Sequence, residues 1–215
     1  RGERNLMYQT IAAPAEDEFV QQKSRFLGAI VPVQTEEEAL AFIEAKRKHY
    51  WDATHNVYAY IIRAKDGLPE IKRCSDDGEP QGTAGRPALE VLEREGLTDV
   101  ALVCTRYFGG ILLGAGGLVR AYAHTAKIAV DAAHRLHMAP CLDFTLALDY
   151  GSYGSVSYLL PQYKIETRES RFEDKVTLFL RIRADRMEAF SKALTELSNG
   201  KLSPEVTGEL YADMP

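Results

Sequence analysis

Two stretches hold the residue types able to do chemistry. The first is CSDDGEPQGTAGRP, residues 74–87, with Asp76, Asp77 and Glu79 inside four positions. Paired carboxylates of this kind could hold Mg²⁺ against a phosphate or act as general acid and base. The spacing is not that of an EF-hand loop, and an Asp-rich turn that satisfies its own N–H groups is the simpler reading. The second is RYFGGILLGAGGL, residues 106–118, which carries Gly109, Gly110, Gly114, Gly116 and Gly117. A phosphate loop would need Lys and Ser or Thr where Ala115 and Gly116 stand, and a dinucleotide fingerprint fails at Val119. What remains is a strand, a glycine turn and a helix behind it. Such a turn exposes N–H groups beside the positive end of a helix dipole, a site for phosphate, carboxylate or an RNA backbone. The alternative is that the glycines allow close helix–sheet packing and positive-φ turns. Both readings stay open at this level.

The neighbours of the glycine turn add charge. Arg106, Tyr107 and Phe108 end the preceding strand, where ligands of open α/β sheets tend to bind. Behind the turn, Arg120, His124, Lys127, Asp131 and Arg135 recur at three- and four-residue spacing and share one helix face. Over residues 100–137, Arg106, Arg120, Lys127 and Arg135 face the single acid Asp131, a local balance of +3. Arg106, Arg120 and Lys127 are expected to bind phosphates, with Tyr107 free to stack on a base. His55 stands alone, without HxH or HExxH spacing, and no GxSxG signature is present. Cys74, Cys104 and Cys141 form neither a CxxC nor an even set, so no disulfide framework or zinc site is expected. No catalytic residue, metal ligand set or cofactor is assigned.

Composition narrows the classes. The chain has 215 residues, 46% hydrophobic and 27% charged, with a net charge of −5, so any polyanion surface must be local. No apolar run has the roughly 18 residues of a membrane span, and membrane contact is not expected. The opening RGERNLMYQT has charges, no apolar segment and no initiating Met, which reads as a trimmed start without a secretory signal. With unpaired cysteines, the expected location is the cytoplasm.

The elements that must position these residues follow from pattern. Residues 7–13 and 23–33 read as strands, and 36–49 as a helix capped by Thr35 with Glu38. Residues 55–64 are a strand, 65–85 a long polar loop, and 86–96 a short helix with Pro87 in its first turn. Residues 99–108 form a near-continuous apolar run, a central strand. The helix after the glycines is expected to run over 118–136, stopped by Pro140. From there the pattern is strand 141–150, helix 154–163 broken by Pro161, strands 163–170 and 174–184, a helix capped by Asp185 with Glu188, and a closing strand. That order, β-α-β-β-α-β, is the ferredoxin-like split βαβ. The class is α+β, with domains at 1–138 and 139–215.

The stretches DATHNVYAY, CSDDGEPQGTAGRP and LVCTRYFGGILLGAGGLVRAY resemble the YigZ/IMPACT family, densely over residues 19–131. The resemblance implies an N-terminal two-layer α/β domain like that of a small-subunit ribosomal protein, elongation factor G domain IV and GHMP kinases. It also implies a C-terminal ferredoxin-like domain similar to elongation factor G domain V. Eukaryotic members are translational regulators in a stress-kinase pathway. Their N-terminal partner-binding domain is not among these 215 residues, so that role is not carried over. The expectation is a non-enzymatic RNA- or ribosome-associated protein of translation control, with a protein partner as a further expectation. The alternatives are a Mg-dependent phosphate- or nucleotide-binding enzyme of GHMP-like fold, and an interaction module working through its acidic loop.

Overall fold

Alternation along two strands decides the layering. In the computed structural model, which describes residues 7–215, the chain divides into units Tyr8–Leu136 and His137–Pro215. The reading of RGERNL lies outside the described residues. The first unit runs β1 (Tyr8–Ile11), β2 (Ala15–Gln21), β3 (Ser24–Pro32), α1 (Glu36–His49), β4 (His55–Ile62), β5 (Ile71–Ser75), α2 (Gly85–Arg94), β6 (Val100–Tyr107) and α3 (Gly114–Ala132). Its sheet is antiparallel in the order β2-β3-β6-β4-β5. Val57, Ala59 and Ile61 of β4 and Leu102 and Cys104 of β6 point toward α2 and α3, packing with Leu92, Ala121 and Ala126. The intervening Tyr60, Ile62, Ala101 and Val103 point the other way, onto Ala39 and Ile43 of α1. The expected two-layer domain is therefore corrected to three layers, α1 on one face and α2 with α3 on the other. The uninterrupted apolar run of β6 is what burial on both faces requires.

Two strands fall where no strand is expected. β2, AEDEFVQ, and β5, IKRCS, are the two edges of the sheet and carry polar residues on exposed faces. Polar edges blunt further strand pairing and erase the periodic signal. The Thr35 cap is present: its Oγ1 accepts from Glu38 N at 3.2 Å, and Glu38 reaches back to Gln34 N at 2.7 Å. The long helix α3 begins inside the glycine stretch, at Gly114, and ends at Ala132. Arg135 consequently leaves the helix and opens the next strand. Gly28 of β3 lets α3 settle on the sheet: a Cβ there would lie 2.6 Å from the carbonyl oxygen of Thr125.

The second unit contains most of β7 (Arg135–Leu148), then α4 (Tyr150–Leu159), a 3₁₀ turn at Leu160–Tyr163, β8 (Glu166–Phe172), β9 (Val176–Arg183), α5 (Met187–Ser198) and β10 (Glu205–Asp213). The order β10-β7-β9-β8 is antiparallel throughout, the split βαβ arrangement. Phe144, Leu146, Leu178 and Leu180 pack against Phe190 and Leu194 of α5. Pro140 does not stop a helix; it lies within β7, one residue before pairing with β9 starts. Asp185 does not cap α5, because its carboxylate takes Arg183 at 2.6 Å and the first helical turn follows without a side-chain cap. No helix among the described residues is long and apolar enough to cross a membrane.

Gly28→Ala is expected to lower unfolding free energy by about 1–3 kcal/mol through overpacking against α3, read as a shift in the denaturant midpoint at unchanged slope.

Candidate functional site

Strand register brings the chemistry-bearing residues together. His55 on β4 stands opposite Arg106 on β6, and Phe26 on β3 stands opposite Arg106 from the other side. The loop from β5 to α2 folds over this row. Arg106 is only 4% exposed. Its Nη1 donates to Glu79 Oε1 at 2.7 Å, while Nε and Nη2 reach Ser24 Oγ at 3.3 and 3.2 Å. The same Glu79 oxygen accepts from Tyr122 Oη of α3 at 2.8 Å, and His55 Nε2 lies 3.4 Å away. Burial, and then the Glu79 carboxylate, push the Tyr122 phenol far up from its ordinary value. His55 Nδ1 is 2.8 Å from the Asp77 carbonyl, an acceptor only, so that nitrogen carries a proton. Phe26 and Phe108 rings flank the Arg106 guanidinium at 5.5 and 5.3 Å.

The acidic loop is held by its own backbone and its neighbours. The Asp76 carboxylate accepts from Gly82, Ala84 and Gly85 N–H groups, at 2.9, 3.2 and 2.8 Å, and so anchors the start of α2. Asp77 accepts from Asn56 N at 2.7 Å. Only Glu79 of the three reaches the cleft beside it. Burial, with the Asp76 carboxylate second, raises the Cys74 thiol. Among the described residues no group of three or more His, Cys, Asp and Glu is arranged to hold a metal ion.

The glycines divide by task. Gly109 lies so close to the Lys23 backbone that a Cβ would sit 2.0 Å from its carbonyl oxygen, and its N–H donates to Ser24 Oγ at 3.2 Å. Gly110 and Gly114 have φ of +88° and +72°. Gly116 and Gly117 form the first turn of α3, which has neither a side-chain cap nor an acid. Between this turn and Glu79 lies a cleft of about 370 Å³, with polar His55, Glu79 and Arg106 and apolar Pro80, Phe108 and Leu112 among its walls. Leu112 is 85% exposed at its mouth.

The cationic stripe is altered most by folding. Arg106 lies inside, engaged by Glu79, rather than on a phosphate-binding surface. Lys127 pairs with Glu95 at 2.8 Å and with Asp131 at 2.7 Å. Arg135 also takes Glu95, from outside the helix. Arg120 is exposed, its Nη1 3.3 Å from where a Gly116 Cβ would be, and it forms no ion pair among the described residues. Tyr107 donates its hydroxyl to Asp52 at 2.8 Å and is half-buried. The sequence reading left out Ser24 and Tyr122 and treated His55 as isolated. They lie 24 to 82 residues along the chain from Arg106 or Glu79, and only the tertiary fold joins them.

A three-layer α/β unit with an internally paired cleft, followed by a split-βαβ unit, defines a two-domain α+β protein. The Impact N-terminal domain profile matches residues 22–130, and a domain of unknown function, DUF1949, matches 146–201. The chain is 39% identical to the IMPACT family member YvyE of Bacillus subtilis, over 90% of this chain and 88% of that protein. It is 35% identical to the IMPACT family member YigZ of Escherichia coli, over 84% and 88%. A crystal structure described as that of a hypothetical protein covers 94% of this chain and 98% of its own, with 33% identity and a TM-score of 0.59. The chain belongs to the IMPACT family.

Two outcomes follow. Glu79→Gln leaves the buried Arg106 uncompensated and is expected to cost about 3–5 kcal/mol, whereas Tyr122→Phe removes one hydrogen bond to the carboxylate and costs about 1.5–3 kcal/mol; urea unfolding separates them. Hydrogen bonds from Lys127, then Arg135, hold the Glu95 carboxyl below its usual range. Its stabilisation is therefore present above the unfolded value of about 4.3 and is lost as pH falls through the lower folded value. The stability gap between wild type and Glu95→Gln should close over that acid range.

Proposed function

We propose that this chain is a non-enzymatic, cytoplasmic binding protein of translation control, and that it contacts an RNA backbone, free or on the ribosome, at the start of α3. The carrying observation is the uncapped first turn, Gly114 to Gly117, with Arg120 exposed beside it and the cleft in front. N–H groups and helix dipole there favour a phosphate oxygen. Family membership supports the translation setting, since the resemblance implies translational regulators. The β-α-β-β-α-β order of the second unit is the order that likeness to elongation factor G domain V implies. With Arg106 buried and Lys127 paired, the footprint is small, on the order of one or two phosphates. The salt slope of single-stranded RNA affinity is then about −0.7 to −1.4.

One observation favours a second reading, a phosphate- or nucleotide-binding enzyme using Mg²⁺. The acidic loop and the glycine turn wall a single cleft. Against it, the Asp76 carboxylate is taken by three backbone N–H groups, and the Glu79 carboxylate by Arg106 and Tyr122. A nucleotide with Mg²⁺ that raised the melting temperature would favour this reading.

Filter binding of single-stranded RNA across a salt series tests the main proposal. Arg120→Ala is expected to reduce the slope by about 0.7. Glu95→Gln, which frees Arg135 and leaves Lys127 with Asp131 alone, is expected to tighten binding. Affinity indifferent to salt, or unchanged by Arg120→Ala, would sink the proposal.

A further inference from the structure

One helix cannot cover five strands. Four spacings of about 4.8 Å make a sheet about 19 Å across, while a helix is about 10–12 Å wide. The face toward α2 and α3 has two helices. Among the described residues, the opposite face has α1 alone, packed on β6 and β4. Beside α1, over β3 and edge strand β2, two adjoining cavities of about 320 and 400 Å³ share Glu16 and Ala29 in their linings. Leu27, Ala29 and Val31 line the floor, and Phe42 and Tyr50 the α1 side.

The charge of this groove is mixed and its outer rim is acidic. Glu16 and Glu18 stand on the strand face that looks into it, paired in register with Ala29 and Leu27. Their side chains are 71% and 50% exposed. Arg25 answers Glu18 at 2.7 Å, while among the described residues Glu16 has a loose contact of 3.8 Å with Lys46. The Lys46 ammonium itself lies 5.9 Å from the Phe42 ring centroid and 5.7 Å from that of Tyr50. A cation is thus already accommodated between aromatic rings and a carboxylate at this point, which is the chemistry a second basic side chain would use.

We propose that this groove docks one amphipathic helix of a protein partner, its apolar face on the half-buried Leu27 and Val31 and a Lys or Arg flank along Glu16 and Glu18. The docked helix takes the place, beside α1, that a second helix fills on the opposite face. β3 has nine residues, about 30 Å of strand, so a helix of about 18 residues, about 27 Å long, matches it. This site is separate from the glycine turn and does not depend on the RNA reading.

The probe is a fluorescein-labelled amphipathic Leu/Lys peptide of about 18 residues, followed by anisotropy at low and high salt with the full chain. Binding is expected to weaken with salt, and by about tenfold or more in Glu16→Lys/Glu18→Lys. Ala29→Phe, which fills the floor, should weaken it similarly, with a melting temperature lowered by overpacking at this buried position, and Arg120→Ala should leave it unchanged. If Ala29→Phe misfolds, the double charge reversal alone decides. Equal binding of a Leu/Glu peptide, or binding untouched by the charge reversal, overturns the proposal. Dimerisation of the free chain that Ala29→Phe or the charge reversal abolishes would assign the groove to a second copy and overturn it too.

Discussion

Arg106 and Glu79 form a buried ion pair on which the first unit depends. A guanidinium and a carboxylate removed from water are tolerable only when their remaining hydrogen-bonding groups are met. Here Ser24 and Tyr122 supply those partners from two different elements, and His55 of a third lies 3.4 Å from the carboxylate. The pair therefore ties the start of β3, the end of β6, the acidic loop and α3 to one point. Ser24 extends the tie to the glycine turn through the Gly109 N–H, with Lys23 and Gly109 backbones in close approach. The cleft keeps its shape because both of its walls end on this pair.

The same pairing sets the electrostatics. Counted along the chain, the segment from β6 through α3 is basic. In space Glu79 takes Arg106, and Glu95 takes Lys127 and Arg135. Both acids come from outside that segment, which a local charge count cannot see. What is presented outward is narrower: one exposed arginine, an uncapped helix start and an apolar loop at Phe108 to Leu112. Such a surface suits a contact of limited extent within a larger assembly better than a tract of nucleic acid held by charge alone.

Layering follows a comparable geometric limit. Central strands β4 and β6 are apolar on both faces because helices lie on both. Edge strands β2 and β5 are polar because one side of each has no strand to pair with. Their sequences consequently look like loops, and the helix-poor face over β2 and β3 is left with a groove. In the second unit the split βαβ arises from the alternation of β7 and β9 against α4 and α5, and its long strand absorbs Pro140 without a break.

Much was legible in the sequence. The Thr35 and Glu38 cap, the apolar run of β6, the β-α-β-β-α-β order of the tail and the signature stretches all rest on contacts within a few residues or on periodicity. The two-domain α+β class followed from them. Tertiary structure alone decided that α1 takes the second face of the sheet, that Asp76 anchors α2, that α3 starts at Gly114, and that Arg106 turns inward. The reason is physical: a side chain's charge and exposure depend on which distant group neutralises it, and strand register sets that distance. The glycines needed the fold as well, since only the approach of Lys23 shows why residue 109 has no room for a Cβ, and only the left-handed backbone at 110 and 114 shows the turn they make.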